Sequence, residues 1–256
     1  MLFDNHSHTK FSADSEMLAK DAVETAKKQG LGIVFTEHID FSYPGELNFI
    51  FDPKEYWREY EPLRSESVRL GVEVGLVPGE RQQAEAFIDE VPFDEVIGSI
   101  HLVDGHDIYE KDGYEGKTQD EMYRRYFHLM KEMVSSNPYI DILGHIDYIS
   151  RYAPYEESGI QYARWTEDID AVLRAVIETE TVLELNTRRF GIPINFKQLV
   201  PVYKRYRELG GRYVAIGSDA HTADVIGAYF DVAEQFAEAC ALIPVTFGRR
   251  KMIRLK

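Results

Sequence analysis

The residues of this chain best suited to chemistry are imidazoles and carboxylates, and they recur at one kind of position. The chain opens Leu2-Phe3-Asp4-Asn5-His6-Ser7-His8, a short apolar start followed by an His-x-His pair. On an extended backbone that spacing puts both imidazoles on one side. Neutral imidazole ligates metals near pH 7, and a preceding acid such as Asp4 can fix which ring nitrogen carries the proton. One such pair is weak evidence, so the case rests on recurrence. Glu37-His38 ends the apolar run Gly32-Ile33-Val34-Phe35-Thr36, and Glu73 sits inside Val72-Glu73-Val74-Gly75, where an unpaired carboxylate is costly and needs a cation. His101 ends Glu95-Val96-Ile97-Gly98-Ser99-Ile100, His145 ends Ile140-Asp141-Ile142-Leu143-Gly144, and Asp219 and His221 follow Tyr213-Val214-Ala215-Ile216. Of the eight histidines, only His106, in a polar loop, and His128, in a helical stretch, lie away from strand ends.

Between these tips the periodicity turns helical. Asp14 or Ser15 can cap a helix carrying Leu18, Ala22, Val23 and Ala26, with Gly30 past its end. Further helices are expected near 53–69, 80–89, 118–135, 166–179, 196–208 and 230–240, and a short strand at 245–247 closes the chain. Strand and helix alternate about seven times with no linker or low-complexity tract, which predicts an α/β fold in a single domain over 1–256. Right-handed crossovers make the sheet parallel, and seven units with polar tips favour a closed or nearly closed barrel over an open sheet. In such a barrel the site lies at the C-terminal strand ends, where the ligand-type residues fall.

A net charge of −15 and a pI near 5.0 argue against nucleic acid or an acidic membrane surface as the main partner. One cysteine, Cys240, excludes an intramolecular disulfide framework and suits the reducing cytoplasm. No apolar leader and no run long enough for a membrane span is visible, so neither secretion nor membrane insertion is expected.

His6-x-His8, Asp14, Glu37-His38, Glu73 in Gly-Val-Glu-Val-Gly, Gly98-Ser99-Ile100-His101, Gly144-His145 and Gly217-Ser218-Asp219-Ala220-His221 together resemble the motif series of the polymerase and histidinol phosphatase (PHP) superfamily. Within it, Phe93 to Gly105 and His145-Ile146-Asp147-Tyr148 are similar to the stand-alone histidinol-phosphate phosphatases of histidine biosynthesis. The resemblance implies a distorted seven-stranded (β/α) barrel, TIM-like, with two to three divalent ions of zinc, iron or manganese. His6, His8, Glu73 and Asp219 would hold one ion, Glu73 bridging to a second on His101 and His145. Asp14, His38 and His221 would hold the third. Glu73, Asp219 and His221 would also carry the chemistry. Nine nitrogen and oxygen ligands with no thiolate agree with those metals.

Two ions about 3.5–4 Å apart can bridge a hydroxide and offset charge on phosphoryl oxygens, which suits hydrolysis of a small phosphorylated metabolite, L-histidinol phosphate first among them. Arg151 and Arg188, each past a strand tip, are expected to clamp phosphate, and Arg189 is carried as a further candidate although neighbours on an extended segment face opposite ways. Asp40, Phe41 and Asp104 are expected at the cationic end of the substrate. The alternatives are another small phosphomonoester, an oligonucleotide, or a non-catalytic metal-binding barrel. The oligomeric state is left open, as is the role of aromatic loops at 41–51 and 109–126.

Overall fold

In the computed structural model, which describes residues 1–255, parallel strands alternate with helices along the whole chain. In order these are β1 (Phe3–Asp4), α1 (Ala19–Lys28), β2 (Gly32–Ile39), α2 (Pro53–Tyr60), β3 (Val68–Gly75), α3 (Arg81–Ile88), β4 (Glu95–Ser99), a small hairpin of β5 (Leu102–Val103) and β6 (His106–Asp107), α4 (Gln119–Ser136), β7 (Ile142–Leu143), α5 (Ile149–Tyr152), α6 (Thr166–Glu178), β8 (Val182–Asn186), α7 (Pro193–Leu209), β9 (Tyr213–Gly217), α8 (Phe230–Ala239), β10 (Ile243–Gly248) and β11 (Lys251–Arg254). No helix among the described residues is long and apolar enough to cross a membrane.

The main sheet runs β1-β2-β3-β4-β7-β8-β9-β10-β11, every pairing parallel except the last. Its strands are apolar on both faces because one face meets helices and the other meets the interior. Beyond the ends of β1 and β9 the main chain continues to pair: Asn5 N–H donates to Ile216 C=O, His8 N–H to Ala220 C=O and Asp219 N–H to His6 C=O, at 2.8–2.9 Å. The parallel sheet thus curls back on itself, seven strands from β1 to β9. The β10–β11 hairpin crosses below, where Val245 and Phe247 pack on Ile97, Ile142, Val182 and Ala215. Inward positions therefore change character up each strand: Val182 then Glu184 then Asn186 on β8, Ile97 then Ser99 on β4. An apolar plug thus fills the middle of the interior, the upper interior is polar, and Glu95 lies buried below Ile97 at the bottom of β4.

Local departures from expectation have local causes. The helix expected near 53–69 stops at Tyr60, followed by a 3-10 turn at Glu61–Leu63, because Pro62 cannot continue the ladder. β3 accordingly starts at Val68. Neither Asp14 nor Ser15 caps α1, which begins after Leu18 without a side-chain cap; both serve the site described next. β11 was not expected at all. Its turn is made by Arg249 and Arg250, both at positive φ (49° and 61°), and the Asn-Gly signal normal for that geometry is missing. Asp94 holds the turn instead, accepting the N–H of Arg249 on its side chain and of Arg250 on its carbonyl.

Candidate metal centre

The strand tips bring Glu73 to the middle of an imidazole cage. From Glu73 Oε2 the distances are 2.9 Å to His38 Nδ1, 3.2 Å to His6 Nε2 and 3.5 Å to His8 Nε2. From Oε1 they are 3.0 Å to His145 Nε2 and 3.3 Å to His101 Nε2. Asp219 Oδ1 lies 3.7 Å from His8 Nε2 and 3.6 Å from His221 Nδ1, and Asp14 Oδ2 lies 3.0 Å from His221 Nε2 and 3.7 Å from His38 Nε2. All nine expected ligands thus converge. Three triads each gather donor atoms within 4.8 Å: His6–His8–Glu73, His38–Glu73–His101 and His8–His38–His221. His38 therefore stands between Glu73 and the outer Asp14–His221 pair rather than with the outer pair alone.

Hydrogen-bond accounting says which ring nitrogens are free to ligate. His6 Nδ1 lies 2.7 Å from Glu184 Oε1 and His101 Nδ1 2.9 Å from Asp40 Oδ1, so each gives its N–H to a carboxylate. His8 Nδ1 lies 3.1 Å from Ser12 Oγ. That hydroxyl gives its single proton to Glu37 and already accepts the His38 N–H, so it can only accept from His8. In all three rings the lone pair is left on Nε2, and these three buried atoms, together with Glu73 Oε2, have no hydrogen-bond partner. Buried polar atoms are rarely orphaned unless something is bound there. A divalent cation fits four such atoms, and the N/O donor set suits zinc, iron or manganese.

The charges are arranged to match. Burial would push Glu73 up, but His6, His38 and His101 hold it well below the usual carboxylate range. Burial likewise opposes ionisation of Asp219, and Arg151, Arg188, His6 and His221 outweigh it. His8 is driven well below the ordinary imidazole value by burial and by His38, His221 and His6, so it stays neutral as a ligand must. At His6, His38 and His101 burial acts the same way but is outweighed, by Glu73 and Glu184 at His6, by Glu73 at His38 and by Asp40 and Glu73 at His101, so these rings are pushed up and a cation held there takes the place of their protons.

Several expected roles are redistributed. Asp4 does not orient a ring: its carboxylate accepts from the N–H and hydroxyl of Ser218 and the N–H of Gly227, tying β1 to the loop after β9, and Glu184 takes the orienting role. Glu184 could have been read from the sequence, since it is a carboxylate inside an apolar strand as Glu73 is. Arg188 reaches the site, its Nη1 3.0 Å from Asp219 Oδ1 and 3.1 Å from His221 Nδ1. Arg151 is buried, bonded to Asp219 Oδ2 at 2.6 Å, with Nε and Nη2 unpartnered. Arg189 turns away, held by Ser150 and Asn195. Phe41 packs edge-on against Phe87 outside the cavity, because successive residues alternate sides and Asp40 takes the inward one. Asp104, in the exposed β5–β6 turn, is engaged by Arg125 at 2.7 Å. Asp40 lines the cavity but is committed to His101. His128 is exposed, and His106 pairs with Asp112.

Above the cage opens a cavity of about 460 Å³. Asp14, His38, Asp40, His101, His221 and Arg188 form its floor and one wall, and Tyr43, Leu47, Phe49, Asp107, Tyr109, Tyr148 and Tyr152 form the remainder. Both aromatic loops therefore contribute to the site, the second through Tyr109.

Residues 4–188 match the model of the PHP domain family. The chain is 46% identical over 252 residues to a probable histidinol-phosphatase of Clostridium acetobutylicum, covering 98% of this chain and 99% of that protein. To the histidinol-phosphatase of Lactococcus lactis subsp. lactis it is 34% identical over 227 residues, 86% of this chain and 84% of that one. The crystal structure of the Lactococcus lactis histidinol phosphate phosphatase HisK, complexed with zinc, L-histidinol and phosphate, superimposes with a TM-score of 0.93 at 32% identity over 98% of both chains.

Proposed function

The chain belongs to the PHP domain family, and on that premise we propose that it is a metal-dependent phosphomonoesterase that hydrolyses L-histidinol phosphate to L-histidinol and phosphate. The observation that carries this reading is the group of bare Nε2 atoms of His6, His8 and His101 facing an ionised Glu73 beneath a cavity walled by Arg188. Relatives bearing the same activity, one of them with zinc, histidinol and phosphate bound, support it.

The expected complement is two to three ions of zinc, iron or manganese: His6, His8, Glu73 and Asp219 would hold one, Glu73 with His101 and His145 a second, and Asp14, His38 and His221 a third. Ions held there acidify water and offset the charge of phosphoryl oxygens. The chain supplies the remainder. Arg188 binds phosphoryl oxygens from the cavity wall, and Arg151 backs it from below with two unpartnered nitrogens, Nε and Nη2. Asp219, kept ionised by those arginines, would orient the attacking water as a hydrogen-bond acceptor with His221 beside it, and the proton the water loses goes to the departing alkoxide. Residues beyond 188 complete the site, so the functional unit is a single domain over 1–256, working in the cytoplasm on a small metabolite.

The test is turnover of protein loaded in turn with Zn²⁺, Mn²⁺, Fe²⁺ and Co²⁺, with metal content measured alongside. One charge-assisted contact to the cationic end of the substrate gives a preference of roughly 10- to 150-fold in kcat/KM for histidinol phosphate over phenyl phosphate. Equal values for the two substrates, or one ion per chain at full activity, would overturn the reading.

A further inference from the structure

The phosphatase reading assigns the floor of the cavity and leaves its far end unexplained. There a carboxylate, Asp107 on β6, is nearly buried at 7% exposure. Its Oδ1 accepts the Tyr109 N–H at 2.8 Å, and among the described residues no lysine or arginine forms an ion pair with it. A buried carboxylate without a cation is costly. The other acid at this end, Asp40, is taken by His101. Tyr43 stands beside Asp107, its phenol pushed up to about 12 by burial and then by the Asp107 charge, so it remains a neutral O–H.

The cavity walls above the cage are aromatic on both sides. On one side Tyr148 stacks on His145 with ring centres 4.7 Å apart, Tyr152 follows at 5.3 Å and Tyr109 at 5.0 Å. On the other, Phe49 stands edge-on to His38 at 5.4 Å and Tyr43 to Phe49 at 4.6 Å. A slot with a phosphate-binding floor, aromatic walls and one uncompensated carboxylate fits a phosphomonoester whose alcohol carries a flat ring and a cation.

Resting on that phosphatase reading, we propose that Asp107 is the specificity-determining residue of this enzyme: it receives the primary ammonium of the substrate while the tyrosine walls hold the ring. Asp104, three residues earlier, cannot do so because it is exposed and held by Arg125.

The experiment compares kcat/KM of the metal-loaded wild type and Asp107→Asn on three substrates: histidinol phosphate, O-phosphoethanolamine, which has the ammonium without the ring, and phenyl phosphate, which has a ring without the ammonium. Asparagine keeps the acceptor for the Tyr109 N–H, and metal content and Tm verify that the variant is folded and loaded. The ratio of histidinol phosphate to phenyl phosphate should fall roughly 10- to 150-fold in the variant, mostly through KM. The ratio of phosphoethanolamine to phenyl phosphate should fall with it, and Asp107→Glu should recover part of both. If all three substrates lose equally, Asp107 merely supports the hairpin and the proposal is overturned. A wild type with no preference for histidinol phosphate refutes the phosphatase reading instead, whereas a wild type with the preference and a variant that keeps it refutes only the role of Asp107. Should the asparagine variant not fold, Asp107→Glu alone decides: an unchanged histidinol phosphate to phenyl phosphate ratio overturns the role.

Discussion

Glu73 and Glu95 are both fully buried, on the neighbouring strands β3 and β4, and both point into the interior, yet their carboxyls are shifted in opposite directions. Burial raises each. At the upper end, His6, His38 and His101 reverse that effect and hold Glu73 well below the ordinary range, with the Ser99 hydroxyl donating to it at 2.6 Å. At the lower end, Asp141 adds to the burial, and Arg69 and His6 oppose it too weakly, so Glu95 lies well above the ordinary range. Neither Glu95 oxygen has a hydrogen-bond partner. Burial beside another acid therefore raises a carboxylate at the lower end, and the imidazoles around Glu73 reverse the same burial at the upper end. The upper interior is a site because of its company.

The harshest way to break that contrast is to remove the charge at the upper end. Glu73→Gln keeps the shape but cannot be shared between cations, and its amide N–H groups would occupy ring-nitrogen lone pairs that a cation needs. Turnover should fall by at least about a hundredfold, the scale of losing a charge-stabilising group in a site. Elemental analysis of the same preparation should show fewer ions per chain. A variant with wild-type kcat in a metal-replete assay would show that Glu73 is as dispensable as Glu95.

A milder change sharpens the comparison by testing a third buried glutamate. Glu184 takes the His6 Nδ1–H at 2.7 Å and an Asn186 Nδ2–H at 3.2 Å on one oxygen and the His145 N–H at 2.5 Å on the other, three donors on two oxygens. Glu184→Gln leaves one acceptor for all three. Removal of such an orienting partner lowers metal affinity or activity by about 10- to 100-fold, which competition with a chelator would measure. If chelator titrations of Glu184→Gln and wild type superimpose, the ring of His6 is fixed by something other than Glu184.

Those three glutamates mark the limit of what the sequence discloses. Each lies in an apolar strand, so alternation reports that each is buried and cannot report what it meets. The positions of His6, His38, His101, His145 and His221 were legible because apolar runs bounded by polar tips are strongly periodic. Asp4, Arg189, Phe41 and Asp104 were misassigned because one-residue changes of direction decide which side of a tip faces the cavity. The turn into β11 was invisible, although the strand at 245–247 was not, because Asp94, about 155 residues away in sequence, replaces the local turn signal. Tertiary partners, unlike periods, leave no spacing to read.

The smallest expected effect concerns Glu95 and is visible only in its pH dependence. Its folded-state value lies above that of an unfolded glutamate, so the folded chain retains a proton that the unfolded chain releases. Stability from this group is therefore fully present below about pH 4.3, the unfolded value, and is lost as pH rises toward the folded value. Glu95→Gln cannot titrate. Its Tm should match the wild type within a few degrees near pH 4 and gain on it as pH rises toward 8. The slope between them is bounded by one proton, about 1.4 kcal/mol per pH unit, with each kcal/mol worth roughly 2–4 °C for a domain of this size. Because the metal-cage histidines titrate in the same range, the quantity to follow is the difference between the two curves, with both proteins loaded alike. Parallel curves from pH 4 to 8 would mean that Glu95 is ionised in the fold, paired with Arg69 after all, and that the two ends of the interior treat a buried carboxylate alike.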